Sequence, residues 1–127
     1  MLSLLRASAG HLLRPALAII FAVLVAACQA TEPTAPVATN QVDLPRSYKF
    51  APADISIPVG TTVLWTNNDN FTHTVRLLDS GEDQMLRPGE TVTNEFAQPG
   101  LFRYDCSLHP NDMQGSVLVQ EATGGSR

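Results

Sequence analysis

Between Gln41 and Glu121 a turn-forming residue or cluster interrupts the chain every few positions. Pro45, Pro52, Pro58-Val-Gly60, Asn67-Asn-Asp-Asn70, Ser80-Gly81, Pro88-Gly89, Pro99-Gly100 and Gly115 mark the breaks. Proline removes a backbone donor, while glycine and asparagine favour turns, so a long helix has nowhere to grow. No stretch of a dozen residues between the breaks carries a 3.6-residue apolar period. Short runs with a period of two remain, and these read as strands. Val63 and Trp65 share a face in Thr61–Thr66. Phe102, Tyr104 and Cys106 share one in the next such run, with Arg103 and Asp105 directed to solvent. Val92 and Phe96 point inward around Asn94, and Ser116–Gln120 makes a closing strand. Six or seven such strands predict an all-β fold, a small sandwich. Aromatic residues are only 6% of the 127 positions, so Val, Leu and Ile must carry much of the core. A core this modest gains from any bound metal that ties segments together.

The first 27 residues read as a leader that is not part of this fold. Arg6 and Arg14 precede the apolar run Pro15–Ala27. That run falls well short of the roughly 20 residues a membrane-spanning helix needs, so a secretory signal is the better reading. It ends in Val25-Ala26-Ala27-Cys28, which resembles a bacterial lipobox. Cys28 is therefore expected to be lipidated after cleavage in front of it. Removing residues 1–27 takes away two Arg and deepens the net charge from -4 to -6. Residues 28–40 hold the lipidated Cys and a Pro/Thr/Ala-rich tether without aromatics. Residues 41–121 form the folded domain, and residues 122–127 a flexible tail. The acidic balance argues against nucleic acid, because phosphate binding needs a basic stripe.

The scarce residues carry the chemistry. After leader removal His73 and His109 are the remaining histidines, and lipidation leaves Cys106 as the one free thiol. The pattern is a distant His73 followed by Cys106-x2-His109-x3-Met113. In isolation His73 reads as a surface residue, Met113 as core filler and Cys106 as a buried inert thiol. Their conjunction reads as a metal site. Structural zinc wants four Cys or His ligands, and three are present. Two imidazoles, a thiolate and a weak axial thioether make the donor set of a type 1 (blue) copper centre.

These residues resemble the cupredoxins, small blue copper proteins of the plastocyanin and amicyanin kind. Two blocks carry the resemblance: Phe50-Ala-Pro-Ala-Asp-Ile-Ser-Ile-Pro-Val-Gly-Thr-Thr-Val-Leu-Trp65 running on to His73-Thr-Val75, and Pro99-Gly-Leu-Phe-Arg-Tyr-Asp-Cys106-Ser-Leu-His109-Pro110. The resemblance spans roughly Tyr48 to Glu121. It implies a Greek-key β-sandwich of about seven or eight short strands with one copper near one end. It implies His73, Cys106, His109 and Met113 as ligands and one-electron transfer as the function. It also implies an apolar electron port around His109, for which Pro110 and Met85 are the candidates here. Two features depart from the pattern. Plastocyanin-like members space the second His and the Met by one residue more, and amicyanin-like members by one fewer. Many members have Asn after the first His where this chain has Thr74, whose backbone N–H can still donate to the Cys106 sulfur.

The leading expectation is therefore a membrane-tethered Cu(II)/Cu(I) shuttle outside the cytoplasm, periplasmic or on the outer cell surface. It would act as a monomer with redox partner proteins such as a cytochrome, dehydrogenase or oxidase. It is not expected to be an enzyme: multicopper oxidases and copper nitrite reductases need further histidines. The alternative is a copper protein for storage, delivery or sensing, although the Met-rich or His-rich tracts common in copper transport are missing. A metal-free structural domain is a third reading, opposed by the intact ligand set.

Overall fold

The computed structural model describes residues 33–122. The leader, Cys28 and most of the tail lie outside them. Nine strands run through the described residues, and no helix: β1 (Val37–Ala38), β2 (Gln41–Leu44), β3 (Asp54–Pro58), β4 (Thr61–Asn67), β5 (His73–Leu77), β6 (Asp83–Leu86), β7 (Thr91–Phe96), β8 (Gly100–Asp105) and β9 (Gln114–Gln120). They form a six-stranded sheet in the order β1-β3-β9-β8-β5-β6 and a three-stranded sheet in the order β2-β4-β7. Both sheets mix parallel and antiparallel pairs. The chain crosses repeatedly from one sheet to the other, which gives the Greek-key sandwich that the family resemblance implies.

The strand count exceeds the expected seven or eight. One addition, β1, lies inside the stretch read as tether: Val37 and Ala38 pair with Ile55 and Ser56 of β3. Both β1 side chains are exposed. Backbone pairing at a sheet edge needs no apolar side chain, so composition could not reveal it.

Alternation places the core where the sequence put it. Ile55 and Ile57, Val63 and Trp65, Tyr104, Val117 and Val119 all turn inward between the sheets. Burying each such aliphatic side chain contributes about 1.5–3 kcal/mol. Trp65 sits at the centre, edge-on to Tyr104 with ring centroids 5.4 Å apart. Tyr104 in turn meets Phe50 at 4.8 Å. Its hydroxyl donates to the Ala53 carbonyl at 2.7 Å, which satisfies the one polar atom this ring brings into the core. Burial pushes the Tyr104 phenol well above its ordinary range, so it stays neutral and remains a donor.

Gly115, opposite Tyr104 in the β8–β9 ladder, makes this arrangement possible. A Cβ at position 115 would run into the Ala53 carbonyl oxygen and the hydroxyl end of the Tyr104 ring. Gly115→Ala should therefore push Tyr104 off Ala53 and destabilise the domain by about 1–3 kcal/mol, the usual cost of overpacking a filled core. Denaturant unfolding measures this, and an unchanged midpoint would show that the strand shifts at no cost.

Candidate metal centre

The site lies where the β4–β5 turn, the start of β5 and the β8–β9 loop meet. The turn is built by Asn67, which is fully buried. Its amide donates to the carbonyls of Phe71 at 2.8 Å and Leu86 at 3.0 Å. Its side-chain oxygen accepts the Asp69 N–H at 2.9 Å, closing an Asx turn. That turn brings Asp69 Oδ2 to 2.8 Å from Nε2 of His73. Both groups are buried, with side-chain exposures of 4% and 0%. The hydrogen bond from His73 holds the Asp69 carboxyl below its ordinary range against the opposing effect of burial. A carboxylate only accepts, so Nε2 carries a proton toward Asp69, and Nδ1 is the nitrogen turned to the site. Nδ1 lies 4.0 Å from Cys106 Sγ.

Cys106 directly follows β8 and is fully buried. The loop that follows is tied by backbone bonds. Cys106 N–H donates to Met113 O at 3.0 Å, His109 N–H to Cys106 O at 3.0 Å, and Met113 N–H to His109 O at 2.9 Å. Gln114 adds a side-chain bond to the Pro110 carbonyl at 2.7 Å. These ties fix the spacing of Cys106, His109 and Met113 against one another. His109 Nδ1 lies 3.7 Å from the Cys106 sulfur, and its ring is half-buried. Met113, in the same loop, is fully buried.

The sulfur has two further neighbours, both on Thr74. Its backbone N–H donates to Cys106 Sγ at 3.3 Å, as anticipated, and its hydroxyl reaches Sγ at 3.8 Å. The same hydroxyl oxygen accepts the Ser107 N–H at 2.7 Å and lies 2.9 Å from the Ser107 hydroxyl. Thr74 thus holds the residue after the thiol as well as the thiol itself. Donors aimed at a sulfur stabilise its thiolate and orient it.

His73, Cys106 and His109 form one potential metal-holding group, with all ligand atoms within 4.8 Å of one another. Metal–nitrogen bonds near 2.0–2.1 Å and metal–sulfur bonds near 2.3 Å, at a trigonal angle, require an N···S separation of about 3.8 Å. The observed 4.0 and 3.7 Å meet that requirement. Among the described residues no fourth His, Cys, Asp or Glu joins the cluster, which suits a soft, low-coordinate ion better than structural zinc.

Asp105 needs a correction. Alternation directs it away from the core, but it does not reach solvent: its side chain is 8% exposed. Arg76, directly opposite on β5, covers it with two hydrogen bonds of 2.8 and 2.7 Å. The β8 segment leading into Cys106 is thereby clamped to β5, the strand that begins with His73. Sequence reading also missed Asp69 and Tyr48. Asp69 sits in a polar turn that looks like surface. Tyr48 sits in the β2–β3 loop, far along the chain, yet its ring meets His109 edge-on at 4.8 Å and His73 at 5.8 Å. Of the two port candidates, Met85 is exposed on β6 opposite Thr74, and Pro110 is exposed next to His109.

Comparison with known proteins agrees with this geometry. The cupredoxin-like domain family matches residues 15–119. Amicyanin-alpha of Methylorubrum extorquens is 32% identical over 92 residues, 68% of this chain and 76% of that protein. The chloroplastic plastocyanin of Tetradesmus obliquus is 33% identical over 84 residues, 56% of this chain and 58% of that protein. Among solved structures, a purple cupredoxin from Nitrosopumilus maritimus superposes with a TM-score of 0.58 at 30% identity, covering 65% of this chain and all of that one. A copper-containing nitrite reductase from Thermus scotoductus gives 0.57 at 31% identity; the match covers 69% of this chain and only 26% of the enzyme. The chain belongs to the cupredoxin-like domain family, and its His73–Cys106–His109 set fits the single type 1 copper of that family.

Proposed function

We propose that this protein is a one-electron carrier that holds one copper with His73, Cys106, His109 and Met113 and is tethered to a membrane outside the cytoplasm. The observation that carries the reading is the convergence of two imidazole nitrogens on a buried thiol that already accepts donors from Thr74. Bound there, copper supplies a Cu(II)/Cu(I) couple. The chain's part is to keep the donors still, so that a change of charge is not accompanied by a change of shape. Asp69 fixes the His73 tautomer and ring. Thr74 fixes the sulfur and the start of the ligand loop. The backbone ties within Cys106–Met113 fix the remaining ligands.

His109 is the ligand nearest solvent, which supports its role as the point of electron entry. Pro110 and Met85, both exposed, are proposed to frame it as an apolar port. The net charge of -6 after leader removal favours a partner with a basic face and an association rate that falls with salt. The two histidines outside the leader both lie in the cluster, which leaves none for a second metal or a hydrolytic site and supports a carrier over an enzyme.

The decisive measurement is the visible spectrum of the copper-loaded protein. The wild type should be intensely coloured when oxidised, and Cys106→Ser should lose the thiolate-to-copper band entirely; a serine variant that stays coloured would overturn the assignment. Met113 is tested separately. As a weak axial donor it tunes the site more than it holds the metal. Met113→Leu should retain copper and raise the reduction potential, because loss of a donor disfavours Cu(II); loss of copper or a lowered potential would remove Met113 from the ligand set. The tether rests on Val25-Ala-Ala-Cys28. Intact mass of the membrane-extracted protein should show cleavage before Cys28 and added acyl chains, and a soluble product with an unmodified Cys28 would refute it.

A further inference from the structure

Tyr48 is the one non-glycine residue with a positive φ among the described residues, at 49°. A bulky side chain is disfavoured there, because its Cβ crowds the neighbouring carbonyl oxygen. Such a conformation persists where the surroundings over-determine it, and here they do. Asp43 and Ala51 exchange two backbone hydrogen bonds of 2.9 and 2.8 Å across the base of the loop. Leu44 and Phe50, which flank the loop, are both buried in the core. Between these anchors the left-handed turn at Tyr48 directs its ring over the metal cluster. The ring meets His109 at 4.8 Å with planes 69° apart and His73 at 5.8 Å with planes 87° apart. On its other side it stacks on Phe71 at 5.9 Å. Tyr48 remains 41% exposed, so the ring separates the imidazoles from solvent.

We infer that Tyr48 is a positioning residue whose ring pins the His109 imidazole with Nδ1 toward Cys106 and closes the outer side of the site. This rests on the copper reading above. The two histidines are not held alike. His73 is fixed through Nε2 by buried Asp69, whereas the His109 ring has only its Nδ1 contact with the Cys106 sulfur at 3.7 Å, and no hydrogen-bond partner holds its Nε2 among the described residues. Rings packed edge-on supply the rest of its restraint, Tyr48 at 4.8 Å on the outer side and His73 at 5.4 Å within the cluster. The contact uses the face and edge of the ring and not the hydroxyl, so phenylalanine should replace it. Glycine and asparagine, both tolerant of left-handed backbone, should release it without disturbing the loop.

Two measurements on the full chain test this. In the metal-free protein, long-range proton–nitrogen NMR should show one His109 ring orientation for wild type and Tyr48→Phe, and exchange broadening for Tyr48→Gly and Tyr48→Asn. In the reduced, copper-loaded protein, a Cu(I) chelator such as bicinchoninate should remove copper about tenfold faster or more from the Gly and Asn variants, and at the wild-type rate from the Phe variant. A His109 ring as ordered in the Gly and Asn variants as in wild type, with unchanged copper removal, overturns the inference. A Phe variant that behaves like Gly also overturns it, since the ring face would then not be the restraint. A wild-type protein that takes up no copper would instead refute the copper reading, and the metal-free NMR comparison would still decide the role of Tyr48.

Discussion

Everything about the site depends on where the sulfur of Cys106 is held. It lies at the junction of two sequence segments more than thirty residues apart, and each segment reaches it by a different device. From β5 come the Thr74 N–H and the Nδ1 of His73. From the β8–β9 loop comes His109, tied to Cys106 through the backbone. A thiol with fixed donors around it is already shaped as a thiolate site. The metal does not have to gather its ligands from a mobile chain, so little of its binding energy is spent on ordering them.

The sandwich supplies the rigidity that this requires. β5 and β8 are neighbours in the six-stranded sheet, with Arg76 opposite Asp105 and Leu77 opposite Tyr104. The pairing ends at Arg76 and Asp105, beyond which lie Thr74 and His73 on β5 and Cys106 just after β8. Below that point Tyr104 locks β8 to Ala53 and packs against Trp65 and Phe50. The site is thus the open end of a well-filled core. Ligands on strand ends inherit the order of the strands, while the loop beyond them provides the one partly exposed side chain, His109.

The sequence made the ligands legible because they are rare and because three of them fall within eight residues. It made the sandwich legible because period-two alternation marks Val63 and Trp65, and Phe102 and Tyr104, as inward pairs. What it hid shares a physical cause. Asp69 and Tyr48 lie in turns, where side-chain direction follows individual backbone angles and no periodicity reports it. β1 is held by backbone bonds alone. Asp105 is the most instructive case. Alternation correctly turned it away from the core face, but pointing away from the core is not the same as pointing into water. A long cross-strand neighbour, Arg76, lies over that face and takes the carboxylate out of solvent. Period-two patterns assign a face; only the partner strand says what covers it.

The two buried carboxylates near the site therefore play unequal electrostatic parts. Asp105 faces a guanidinium in a two-bond pair, and at the distance of the cluster the pair acts as a dipole whose charges largely cancel. Asp69 has no such partner in contact. Its hydrogen-bond donors are His73 Nε2 and the Asn70 backbone N–H. It stays ionised because those donors favour the charged form over the penalty of burial. A carboxylate shielded from water and hydrogen-bonded to His73 acts more strongly at the cluster than the solvent-screened carboxylates on the surface. The exposed acidic groups set the net charge, whereas Asp69 lies against the His73 imidazole at the cluster itself.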